Sequence, residues 1–174
     1  MSVLEVKVHG LILERKTQQN IVILRETTGE RILPIWIGPG EAQAIRRLLS
    51  EEPFPRPLTH DLLFHVVEGL KAKVARIVVA ELKDNTFFAS IIVERDGEVL
   101  SVDARPSDSI ALALRAKAPI YVNESLLQQP PRADETTTEE AGEPERELTD
   151  EEKAEQLRRF LEKLNPEDFG KFQL

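Results

Sequence analysis

The amino-acid sequence predicts an α+β fold: a single domain with a mixed, mostly antiparallel sheet packed by helices, followed by a C-terminal helix. Three observations carry that expectation. Residues 74–102 form three apolar, alternating segments separated by Lys83-Asp84-Asn85 and by Asp96-Gly97, the second a strong short-hairpin signal. Residues 41–50, 61–70 and 107–117 place apolar side chains at helical spacing. Finally, Val99 to Val122 runs strand, helix, strand: Pro106 suits a first helical turn, where its missing N–H is no loss, and Pro119 ends the helix before the apolar Ile120 to Val122.

In chain order, Val3 to Leu13 alternates and then turns continuously apolar, as a first strand entering a core would. A connection leads to Ile21 to Leu24, and Thr28-Gly29 turns the chain into a third strand, Arg31 to Ile37. Pro34 cannot donate a ladder hydrogen bond, which predicts a sheet edge or a bulge. Trp36 reads as a packing residue. Gly38-Pro39-Gly40 is read as a strand-to-helix turn, with phosphate contact by free N–H groups as the alternative. The helix that follows carries Ala42, Ile45, Leu48 and Leu49. Pro53, Pro55 and Pro57 stiffen the next connector, and Thr59 or Asp61 then caps a helix expected to bury Leu62, Leu63, Val66, Val67 and Leu70.

The domain is expected to span residues 1–128. Residues 129–147 have almost no apolar content and read as a flexible acidic linker. Residues 148–174 form the C-terminal helical segment. Thr149 and Glu152 have capping-box spacing, and Leu157, Phe160, Leu161 and Leu164 form an apolar stripe. Asn165-Pro166 restarts a short turn anchored by Phe169 and Phe172. Such a helix needs a surface to cover, and packing on the domain is the expectation.

A chain of 174 residues with 41% hydrophobic content suits one compact domain with an appendage. The lack of cysteine excludes disulfides, thiolate nucleophiles and thiolate zinc sites, leaving carboxylates and His9, His60 and His65 as metal ligands. The net charge of −8 is uneven: residues 1–131 hold 16 Lys and Arg against 17 Asp and Glu, whereas residues 132–174 hold 7 against 14. The near-neutral domain can carry a local basic face, while the acidic tail opposes strong nonspecific nucleic-acid binding. No run approaches the roughly 20 apolar residues of a membrane span, and a signal-peptide pattern is absent, so a cytoplasmic location without membrane contact is expected. The edge-type strand at residues 31–37 and the apolar face of the terminal helix are surfaces that would take partners, which predicts a homo-oligomer, most simply a dimer.

Two polar constellations can carry chemistry. His60-Asp61 joins an imidazole that moves protons near neutral pH to a carboxylate, and Asp103, Arg105, Ser107 and Asp108 gather at one strand-to-helix junction. Such carboxylates orient a base or hold a divalent ion that activates water. Structural readings compete at each position: Asp61 and Asp108 are ordinary first-turn carboxylates, His60 helps cap a helix, and Arg105 pairs with Asp103 or Asp108. Arg46, Arg47, Arg56, Lys71, Lys73 and Arg76 are either a positive patch or surface residues balanced by Glu51, Glu52 and Glu68. With one Trp and one Tyr, an extensive aromatic platform for bases is not expected.

ILPIWIGPGEAQAI, RPLTHDL and DARPSDSIALALRAKAPIYV resemble, in this order and at similar separations, the three signature segments of the bifunctional nuclease domain family. The resemblance covers roughly residues 3–128, and the leucine-rich helix followed by NPEDF is similar to the C-terminal segment of bacterial members. Its shared polar positions are Glu41, Thr59, His60, Asp61, Asp103, Arg105, Ser107 and Asp108; Ser109 stands where relatives often have alanine. The resemblance implies a nuclease, a hydrolase of phosphodiester bonds in RNA, DNA or both. On that reading His60, Asp61, Asp103 and Asp108 are catalytic, Arg105, Ser107, Arg46, Arg47 and Arg56 contact substrate, and Glu41, Asp61, Asp103 and Asp108 hold Mg²⁺ or Mn²⁺, with no organic cofactor. Metal-independent acid–base chemistry at His60 is an alternative, as is a non-enzymatic module that binds protein or nucleic acid.

Overall fold

The computed structural model describes residues 2–14, 17–130 and 150–164. Seven strands build one sheet: β1 (Val3–Leu13), β2 (Asn20–Glu26), β3 (Ile32–Ile37), β4 (Lys73–Lys83), β5 (Thr86–Arg95), β6 (Glu98–Ala104) and β7 (Ile120–Asn123). Their order is β3-β2-β1-β7-β4-β5-β6, and every pairing is antiparallel except that between β4 and β7. Four helices accompany them: α1 (Pro39–Leu49), α2 (Thr59–Gly69), α3 (Pro106–Ala116) and α4 (Asp150–Lys163). This is the expected α+β domain with a C-terminal helix.

Local chemistry explains the meander. Asp84 and Asn85 between β4 and β5, and Asp96 and Gly97 between β5 and β6, all have positive φ, the geometry that two-residue hairpin turns need to match strand twist. The chain then leaves β6 at one sheet edge, crosses β5 and β4 as α3, and inserts β7 beside β4. Ala111 and Ala113, both buried, permit close approach, and Ile110 and Leu112 complete the seal. Burial of each such aliphatic side chain contributes roughly 1.5–3 kcal/mol. The helix stops at Lys117, whose φ of 54 is left-handed, two residues before Pro119.

Pro34 lies on an edge strand, as its missing donor requires, yet all six residues of β3 are buried. The edge is closed from outside. Ile32 exchanges two backbone hydrogen bonds of 2.8 Å with Gln128, and Leu126 and Leu127 pack onto the core. Trp36 is buried, as a packing residue should be. On β2, Ile21, Val22, Ile23 and Leu24 are all buried, so both faces of that strand are covered. α1 packs against β2, and α4 brings Leu161, 2% exposed, beside Ile12 and Ile21. The terminal helix therefore packs on its own domain. Both surfaces expected to recruit a second copy are consumed within one chain.

α2 departs from expectation. Val67 packs against the core with Phe64, but Leu62, Leu63, Val66 and Leu70 are exposed, and no residue of the helix is fully buried. The reason is that α2 rests mainly on α3 and much less on the sheet, chiefly at β4, so a narrow face is covered. Thr59 opens the helix rather than capping it; Asp61 caps by accepting the Leu58 N–H at 3.0 Å. The acidic linker beyond residue 130, Thr149 of the capping box, and the turn with Phe169 and Phe172 lie outside the described residues. No helix among the described residues is long and apolar enough to cross a membrane.

Candidate active site

α3 presents Asp108 in its first turn and Arg115 in its last, seven residues apart and therefore on one face. The start of α2 meets both. His60 Nε2 lies 3.1 Å from Asp108 Oδ1, and Arg115 Nε donates to Asp61 Oδ1 at 2.6 Å. The Arg115 guanidinium also sits over the Phe64 ring, 5.0 Å from its centroid. On the other side, Arg105 Nε donates to Asp108 Oδ2 at 2.6 Å, and its terminal nitrogen lies 3.0 Å from Glu41 Oε1 in the first turn of α1. The three helix starts thus converge on one chain of charges, Glu41–Arg105–Asp108–His60.

Electrostatics follow from these contacts. The His60 hydrogen bond, opposed by burial and reinforced by Arg105, holds the Asp108 carboxyl down at about 2. An ionised Asp108 accepts a hydrogen bond from the Nε2–H of His60, which leaves Nδ1 as the ring nitrogen without a proton. For Asp61, burial works against ionisation, but the Leu58 N–H and the Arg115 guanidinium outweigh it and lower its pKa. Arg105 is raised by Asp108 first and stays charged.

Two open cavities meet at this junction. One, of about 490 Å³, is lined by Pro53, Phe54, Pro55, Pro57 and Leu58 of the connector, the end of α1, His60, Asp61, His65, Arg115 and Lys117. The other, of about 400 Å³, is lined by Gly40, Glu41, Gln43, Thr59, Arg105 and Asp108. Ala44, Arg47, Leu58 and His60 belong to both walls. Arg47 stacks over Phe54 at 5.0 Å, and neither Arg47 nor Lys117 has a carboxylate partner among the described residues. These two are the cations left for an anionic ligand.

Of the residues singled out from sequence, the fold brings together Glu41, Thr59, His60, Asp61, Arg105, Asp108 and Arg47. Four others lie elsewhere. Asp103 pairs in register with Ser90, next to the buried Ala89–Ala104 row, so strand alternation sends it to the sheet face opposite α3. Ser107 is buried and lines neither cavity, and Arg46 and Arg56 are exposed outside both. The expected metal ligands also do not fit a metal. Glu41 and Asp108 share Arg105, Asp61 is taken by Arg115, Asp103 is on the other face, and no group of three potential ligands assembles among the described residues. Arg115, Phe54, His65 and Lys117 were missed. The seven-residue spacing of Asp108 and Arg115 was a readable signal; the others depend on how the connector folds back.

The chain is similar in sequence to known proteins. The bifunctional nuclease domain model matches residues 22–134. An uncharacterized protein of Mycobacterium tuberculosis is 39% identical over 170 residues, covering 95% of this chain and 97% of the relative. Bifunctional nuclease 1 of Oryza sativa subsp. indica is 26% identical over 109 residues, 61% of this chain but 33% of the plant protein. Bifunctional nuclease 1 of Arabidopsis thaliana is 28% identical over 109 residues, 61% of this chain and 34% of the relative. With the family model spanning most of the chain and a relative matched almost end to end, the chain belongs to the bifunctional nuclease domain family.

Proposed function

We propose that this protein is a nuclease that cleaves phosphodiester bonds in single-stranded RNA or DNA by acid–base chemistry at His60. The observation that carries the reading is the His60–Asp108 pair of 3.1 Å on the wall shared by two cavities. Asp108 fixes the imidazole by accepting its Nε2–H, and His60 takes a proton from the attacking hydroxyl or water at Nδ1. Arg47 and Lys117 hold the phosphate, and Arg105 meets the charge that grows on it. Phe54, held outward between Pro53 and Pro55 with Arg47 on its ring, offers one stacking face, which suits an unpaired base. The nuclease names of the plant relatives support the substrate class.

The competing reading, a binding module without cleavage, draws support from the saturation of Arg105 by Glu41 and Asp108. One assay separates them. Purified wild type, His60→Ala, Asp108→Asn, Arg47→Ala and Asp103→Ala are incubated with labelled single-stranded RNA and DNA in EDTA, Mg²⁺ or Mn²⁺, with folding checked by circular dichroism. Cleavage is expected to persist in EDTA and to fall about 10²–10⁴-fold in His60→Ala, the usual contribution of a general base. Asp103→Ala is expected to match wild type. Cleavage that vanishes in EDTA overturns the metal-free chemistry, and no cleavage by wild type under any condition favours the binding module.

A further inference from the structure

The larger cavity carries a second imidazole that the His60–Asp108 pair leaves unused. His65 lies on its wall with His60, Asp61, Arg115 and Lys117, five residues beyond His60 on α2. Five residues advance about 7.5 Å along a helix axis, so the two rings stand apart along one wall. Their surroundings differ. His60 is partly buried and bound at Nε2 by Asp108, 3.1 Å away, whereas His65 is exposed and makes no hydrogen bond among the described residues. The His65 ring is tilted beside Phe64, with centroids 6.0 Å apart, and Phe64 in turn carries the Arg115 guanidinium on its face. Both ring nitrogens of His65 are therefore open to a ligand in the cavity.

Cleavage of a phosphodiester moves two protons, one off the attacking oxygen and one onto the leaving sugar oxygen, and in an in-line displacement these oxygens lie on opposite sides of phosphorus. A base and a separate acid serve this better than one group. Of the side-chain types on the cavity wall, arginine does not release a proton, and imidazole is the one that exchanges it readily near neutral pH. On the reading that His60 is the base, we propose that His65 is the general acid and that the attacking group is the 2′-hydroxyl of RNA. His60 Nδ1 takes the 2′-hydroxyl proton as the O2′–P bond forms. The P–O5′ bond breaks, its electron pair leaves with O5′, and O5′ takes the proton carried by His65. The products are a 2′,3′-cyclic phosphate end and a 5′-hydroxyl end. Arg47 and Lys117, on the same wall, hold the phosphate between the two rings. The 2′-hydroxyl has the advantage over water of being fixed next to phosphorus, which intramolecular groups convert into large rate factors. The carboxylates that would hold an ion to activate water, Glu41, Asp61 and Asp108, are instead each paired with an arginine.

A DNA strand with one ribonucleotide, followed either by the natural 5′-oxygen or by a 5′-sulfur, tests these roles on the full chain in EDTA, because a thiolate leaves without being protonated. Wild type is expected to cut both strands after the ribonucleotide alone and to leave a 2′,3′-cyclic phosphate, read by mass spectrometry. His65 is exposed, so His65→Ala is expected to keep the wild-type circular dichroism. Its rate is expected to fall about 10²–10⁴-fold on the oxygen strand and less than about threefold on the sulfur strand. His60→Ala is expected to lose cleavage of both. Equal loss on the two strands in His65→Ala, or no loss on either, overturns the acid role and leaves His60 as the base. Cleavage at deoxyribonucleotides as fast as at the ribonucleotide, or 5′-phosphate ends, means that water attacks and overturns the 2′-hydroxyl step. Failure of wild type to cut either strand overturns the proposal together with the metal-free cleavage on which it rests.

Discussion

Replacing Asp108 by Asn should flatten the acid limb of the stability profile. In the folded chain the Asp108 carboxyl is held at about 2, against an ordinary 3.8, by the His60 hydrogen bond first and by Arg105. A carboxyl depressed on folding stabilises the native state at every pH above its unfolded value, and the contribution is lost as pH falls from about 4 through about 2. The interval between 3.8 and about 2 converts to about 2.4 kcal/mol, the largest contribution the pair can make. The Asp108 side chain is 30% exposed, and solvent screening brings the expected contribution to ~1–2 kcal/mol. Urea denaturation followed by far-UV circular dichroism, near pH 6 and near pH 2.5, measures it for both proteins. Wild type should lose ~1–2 kcal/mol more than Asp108→Asn over that span. Asp61, also depressed, titrates in both proteins and cancels in the difference. Parallel profiles would refute the assigned coupling of Asp108 to His60 and Arg105.

Three further outcomes are expected. Ser109→Ala should stabilise the fold by ~1 kcal/mol in thermal melts, because the Ser109 hydroxyl is fully buried with no hydrogen-bond partner among the described residues. Asp61→Ala should cost ~1–2 kcal/mol in the same measurement, since it frees the Leu58 N–H and leaves Arg115 without its carboxylate. Phe54→Ala should weaken binding of a labelled single-stranded oligonucleotide by ~1–3 kcal/mol while leaving the melting temperature nearly unchanged, because Phe54 is half exposed.

Legibility in the sequence followed the range of the interactions. The two hairpins of residues 73–104 were readable because Asp84-Asn85 and Asp96-Gly97 supply their turns locally. The edge position of β3 was readable from one proline. What closes that edge was not, because Gln128 lies 96 residues downstream of Ile32. The face of α2 was misread for a related reason: its apolar residues occupy more than one side, and periodicity does not say which side meets α3. Asp103 and Asp108 look equivalent in DARPSDS. They separate because strand alternation decides one and the first helical turn decides the other. The ion pairs of the expected metal ligands were not legible, since sequence does not say that Arg105 and Arg115 each pair with one of those carboxylates.

The same contacts that would do the chemistry also hold α2 in place, so loss of activity alone does not identify His60 as a base. The helix is tied to α3 by His60–Asp108, by Asp61–Arg115 and by Arg115 over Phe64. His60→Ala removes one tie and the proton acceptor together. His60→Gln separates them, because the glutamine amide can still donate to Asp108 but has no basic nitrogen. Its stability is expected to exceed that of His60→Ala by about 1 kcal/mol, the usual net worth of a hydrogen bond. Its cleavage rate should be as low as that of His60→Ala. A glutamine variant that regains cleavage along with stability would make His60 a positioning residue, and the proton acceptor would then have to be sought at His65, the other imidazole on the larger cavity.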